Sequence, residues 1–113
     1  MIDVSLLKLL FDDDAMIRKY LIVFRRDVPE TLPKLKEYLQ NMDWDNASIT
    51  AHSLKSQLQY LKEDQVSNLA YEIEKKCEEP NLTQVEEINV LLDEMSSAMD
   101  HIFKKIDHYL AEK

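Results

Sequence analysis

Apolar residues recur along this chain at steps of three and four, the period of helices lying on a core. The last segment is the most regular: Val85, Ile88, Leu92, Met95, Met99, Ile102, Ile106 and Tyr109 form one seam, which at about 1.5 Å per residue runs roughly 40 Å. In front of it, Thr83 and Glu86 have the S/T-x-x-E spacing of a capping box. Earlier, Ile17, Leu21, Phe24 and Val28 repeat in the same way, and the period resumes at Leu32, Leu35, Leu39 and Met42. Pro29 and Pro33 lie between. Each removes an amide donor and crowds the preceding turn, so a break or kink is expected around residues 27–31.

Shorter elements fill the remainder. Leu6, Leu7 and Leu10 predict a short helix from about Asp3 to Phe11, packed across the end of the main body. Asp12-Asp13-Asp14 provides a cap for the next helix, with carboxylates at the positive end of its dipole. A third helix is expected from Asp43 to between Leu61 and Glu63, and a fourth capped by Asp64, with Val66, Leu69, Ile73 and Cys77 inward. Glu78-Glu79-Pro80-Asn81 ends that one, because proline disfavours helical geometry in the residue before it.

Composition narrows the picture. There is no glycine, the usual supplier of positive φ in hairpins, so helices joined by polar turns are favoured over sheet. The expected fold is all-α: an antiparallel four-helix bundle with a short additional N-terminal helix, formed by residues 1–113 as one domain. The same lack excludes a P-loop, a dinucleotide-binding turn and an EF-hand, each of which needs glycine at fixed places. Lys plus Arg total 14 against 22 Asp plus Glu, a net charge of −8, which disfavours nucleic acid and anionic membranes as partners. Cys77 is the single cysteine, so a reducing compartment is the simplest setting. Apolar runs such as Leu21-Ile22-Val23-Phe24 are too short to span a bilayer. With no basic leader at the N-terminus, a cytoplasmic protein is expected.

The third helix carries the candidate chemistry. At 100° per residue from His52, Trp44, Ala47, Ala51, Leu54, Leu58 and Leu61 fall between roughly 180° and 280° and form the core stripe. Asp45, Ser48, Ser56, Gln59 and Glu63 fall within roughly 40° of His52. The histidine therefore sits on a polar face among small neighbours, with Lys55 one turn on. A free imidazole, of pKa about 6.5, is mostly neutral at pH 7. Its lone pair can attack phosphorus without a separate base, and an ammonium nearby would favour the phosphorylated product. Exposed histidines on amphipathic helices are common, so periodicity alone permits this chemistry without selecting it.

The local string does select it. Ala51-His52-Ser53-Leu54-Lys55 resembles the A-H-x-L-K signature of the histidine-phosphotransfer (HPt) family. Asp43-Trp44 is similar to the family's helix start, Leu21 to Leu39 looks like its second helix, and Leu69-Ala70 with Ile73-Glu74 resembles its L-a-x-x-l-E segment. The likeness extends over about residues 12–105. It implies a phosphocarrier, not an enzyme: His52 accepts a phosphoryl group from a receiver-domain aspartate and passes it to another receiver. Lys55 stabilises the phosphate, and Ala51 and Leu54 pack. Response-regulator receivers, or a hybrid histidine kinase, are the implied partners. No cofactor or metal is expected on this chain, since Mg²⁺ would belong to the receiver. Ser48, Ile49, Ser56, Gln59 and Lys62 are the expected partner-binding residues. Ile49 and Tyr60 flank the polar face, where docking and packing on a neighbouring helix are equally open.

Two departures stand out: Ser56 and Lys62 occupy positions where the family usually has glycine. Ser56 narrows the approach slightly, and Lys62 is expected to lengthen the helix and alter the next turn. They motivate the alternative of an HPt-like module that binds receivers without accepting phosphate. Elsewhere, His101 and His108 lie off the apolar seam without metal-site spacing, and Cys77 is expected to be a buried structural thiol. The seam is expected to close within a monomer; a dimeric coiled coil is the other possibility.

Overall fold

A computed structural model describes residues 1–80 and 85–112. Among them are five helices and no strand: α1 (Ser5–Leu10), α2 (Asp14–Gln40), α3 (Trp44–Tyr60), α4 (Asp64–Glu78) and α5 (Val85–Ala111). α2 to α5 form a four-membered ring in chain order, with α5 closing on α2. Each neighbouring pair is antiparallel. Tyr20 meets Gln57, Lys55 meets Ser67, Glu63 meets Lys105 while Lys76 meets Glu87, and Arg18 meets Leu110. None of these helices is long and apolar enough to cross a membrane.

The seam of α5 buries as its period requires: Ile88, Leu92, Met95, Met99, Ile102 and Ile106 are all in the core, within one chain. They meet Ile17, Leu21, Phe24, Val28, Leu35 and Leu39 of α2, and Ala47, Ala51, Leu54 and Leu58 of α3. Each buried leucine contributes about 1.5–3 kcal/mol relative to its exposed state. The Thr83 side of the expected capping box lies outside the described residues.

Several expectations are corrected. α2 runs unbroken through Pro29 and Pro33. Only the donors to the Arg25 and Pro29 carbonyls are lost, and core packing on both sides of the prolines outweighs that loss. In α1 only Leu7 is buried. Leu10, the last residue of α1, is exposed, and Ile2 and Val4, which precede the helix, join the core instead. Asp64 is the first residue of α4 and not its cap; Glu63 holds the cap position without a side-chain cap bond, its carboxylate taking Lys105 at 2.8 Å. Asp13, as expected, caps α2 by accepting the Ala15 amide at 2.8 Å.

Met42 is exposed and ends α2 instead of extending its stripe. It stands at φ 55°, and Lys62 at φ 54°. Each closes the same turn: Met42 N–H donates to Leu39 and Asp43 N–H to Tyr38; Lys62 N–H donates to Gln59 and Glu63 N–H to Leu58. This is the Schellman pattern, normally built on glycine because a Cβ opposes the left-handed conformation. Lys62 therefore does not lengthen α3. It occupies the turn a glycine would make.

Candidate functional site

α3 is started by Asp43, whose side chain accepts the Asn46 amide. Its register is pinned on both sides. The Tyr20 hydroxyl of α2 donates to the Gln57 carbonyl at 2.9 Å, and the Ser67 hydroxyl of α4 donates to the Lys55 carbonyl at 3.0 Å. Burial pushes the Tyr20 phenol up to about 12, so the hydroxyl keeps its proton at any ordinary pH. Ala47 and Ala51 are fully buried, which brings α3 close to its neighbours and leaves the opposite face outward.

On that outward face the His52 side chain is 58% exposed, with Nδ1 2.9 Å from Oε2 of Glu74 on α4. Glu74 is nearly buried, its side chain 11% exposed. Lys55 Nζ lies 3.3 Å from the other oxygen, Oε1. That pair is close in charge but off the hydrogen-bond direction, since Oε1 has no hydrogen-bond partner among the described residues. The Lys55 ammonium also stands 5.2 Å from the ring centroid of Tyr71, with Lys75 at 5.4 Å. Beside them a polar hollow of about 320 Å³ opens between Lys55, Gln59, Asn68 and Tyr71.

The chemistry follows from these contacts. A carboxylate facing Nδ1 favours the tautomer with its proton there. The lone pair then sits on Nε2, on an exposed ring. Glu74 also compensates any positive charge the ring gains on attack at Nε2, and Lys55 offsets the cost of holding a carboxylate in so dry a place.

The expected site residues fall as follows. His52 and Lys55 converge through Glu74. Ile49 is 67% exposed, Gln59 and Lys62 are exposed, and Ser48 and Ser56 are half-buried on the same face. Tyr60 and Ile49 part company: Tyr60 makes an edge contact with Tyr20 at 6.2 Å between centroids, while Ile49 is left to solvent. Glu74 was not among the residues singled out for the site. Its signal was present, a lone carboxylate on the inward stripe of α4 between Ala70 and Cys77. Cys77 is buried as expected, its thiol pushed up to about 11, first by burial and then by Glu74 and Glu78. His101 and His108 are exposed, far along α5, and His108 pairs with Glu112.

An all-helical bundle that holds one imidazole outward from the middle of a helix is the class that this fold and site define. The family model described as Hpt domain matches residues 19–102, and the chain belongs to that family. Its members take part in phosphotransfer in two-component signalling and work with receiver domains and histidine kinases. The curated proteins and the solved structures gave no match.

Proposed function

We propose that His52 is the phosphoacceptor of a phosphorelay, taking a phosphoryl group from a receiver-domain aspartate and returning it to another receiver. The observation that carries this reading is the exposed ring bound at Nδ1 by Glu74. The Nε2 lone pair attacks phosphorus, the O–P bond breaks with its electrons returning to the aspartate carboxylate, and an N–P bond forms. The proton stays on Nδ1, donated in a hydrogen bond to the Glu74 carboxylate. Lys55, released from Glu74 Oε1 by rotation of its flexible stem, meets the new phosphoryl charge. Ser48, Ile49, Ser56, Gln59 and Lys62 form the docking face.

The chain acts here as a carrier and not as an enzyme. It needs no cofactor of its own, since Mg²⁺ sits on the receiver. The cytoplasm is the fitting compartment and a single chain the working unit.

The test is incubation with a phosphorylated receiver and Mg²⁺. Wild type becomes labelled, and the label is acid-labile and base-stable, as a phosphoramidate requires. His52→Gln gains no label. A labelled mutant rejects the assignment. An unlabelled wild type that still binds the receiver, unaffected by His52→Gln, selects the alternative of a binding module, which Ser56 and Lys62 in place of family glycines favour.

A further inference from the structure

We propose that the groove between α2 and α5 is a docking site for a basic amphipathic helix of a partner protein, carrying cations two turns apart. Nothing in this proposal rests on phosphotransfer. His52 and Glu74 lie on the α3–α4 edge, and the ring order of the helices puts the α2–α5 edge across the bundle, so both can be occupied at once.

The groove, about 550 Å³, has an apolar floor of Leu32, Leu92 and Phe103, and the small side chain of Ser96 leaves its middle open. Pro29 and Pro33 line its α2 wall. Neither has an N–H, so the carbonyls of Arg25 and Pro29 lose their usual i+4 helical donors. The α5 wall is acidic in a regular way. Glu86, Asp93, Asp100 and Asp107 stand at seven-residue intervals, and a helix drifts only about 20° per such step, so they form one row. Asp93 and Asp100 line the groove itself, against one cation, Lys36.

The molecule already shows how this row holds a cation. Arg25 of α2 lies 4.7 Å from the Phe103 ring centroid and forks onto Asp107, with bonds of 2.9 and 3.4 Å. Asp100 and Asp93, one and two steps further, have no ion-pair partner among the described residues. What fits is a segment that repeats the arrangement of Arg25: donors spaced about 10 Å apart, as at positions i and i+7 of a helix, with apolar side chains between them for the floor. An acidic or uniformly apolar segment does not match a wall of carboxylates.

The test uses the intact protein and a synthetic Leu/Lys helix of about 18 residues, long enough for several turns, with lysines at i and i+7. The control is a scrambled peptide of identical composition. By fluorescence anisotropy at low salt, the patterned peptide binds about tenfold more tightly than the scramble, and the double variant Asp93→Asn, Asp100→Asn loses about tenfold. Both aspartates are exposed, so the fold survives the change, and unaltered circular dichroism checks this. His52→Gln binds the peptide as wild type does, which separates this result from the fate of the phosphoacceptor. Equal binding of the scramble, or an unchanged double variant, overturns the proposal. So does a map of peptide-shifted amide resonances centred on Ser56 instead of Ser96.

Discussion

α3 and α5 bury comparable apolar stripes but present opposite exteriors. The 17 residues of α3 include only two charged side chains, Asp45 and Lys55, while α5 carries Glu86, Glu87, Asp93, Glu94, Asp100, Lys104, Lys105 and Asp107 over 27. Around His52 the outward residues are hydroxyls, amides and Ile49. A surface that sheds water against a partner, as proposed for α3, gains by lacking charges, since each desolvated and unpaired charge opposes contact. Charges that meet a cation, as Asp107 of α5 meets Arg25, keep a partner in place of water and escape that constraint. The contrast between the two helices is therefore a contrast in what each must do with its hydration shell.

The comparison can be broken most severely by putting a carboxylate on the uncharged helix. Ser56→Glu, one turn from His52, is expected to lower phosphotransfer from a receiver about a hundredfold, through repulsion of the incoming phosphoryl group and its acidic site. Ser97→Glu on the already charged exterior of α5 leaves transfer unchanged. Equal rates for the two variants would remove the distinction. Glu74→Gln comes next: without the anion at Nδ1 the tautomer is no longer fixed, and transfer falls about tenfold or more. Receiver affinity in a pull-down or titration stays the same, because Glu74 is nearly buried.

Smaller effects sharpen the same picture through stability. Lys62→Gly relieves a Cβ in the left-handed region and raises stability by about 1 kcal/mol, read as an upward shift in Tm. Asp107→Asn on α5 breaks the Arg25 pair, which is well exposed on both sides, and costs less than about 1 kcal/mol in urea melts. A larger loss there would mean that the charged exterior of α5 is structural after all.

Much of this was legible in one dimension. The α5 seam, the inward stripe of α3 and the outward turn of His52 all follow from the helical period, which depends only on local geometry. What spacing could not supply is the register between helices. Nothing within α3 tells which residue of α4 stands opposite His52, so the pairing with Glu74 emerged only when the two helices were packed. The unbroken course of α2 through Pro29 and Pro33 has the same origin: a local rule about lost donors was overridden by tertiary burial of Phe24 and Val28 before the prolines and Leu35 after them. At Met42 and Lys62 the chain turns without glycine, and a rule based on residue preference had no means of finding a turn that the hydrogen bonds of the helix end enforce.

The lone thiol of Cys77 makes the bundle its own stopwatch. With its ionisation pushed up to about 11 by burial, it stays protonated and covered at pH 8, where an unfolded cysteine, titrating near 8.5, is partly thiolate. An alkylating reagent added at that pH gains access only during the intervals when α4 lifts from its neighbours. The pace of modification then reports how often that part of the molecule breathes, with no second cysteine to blur the count.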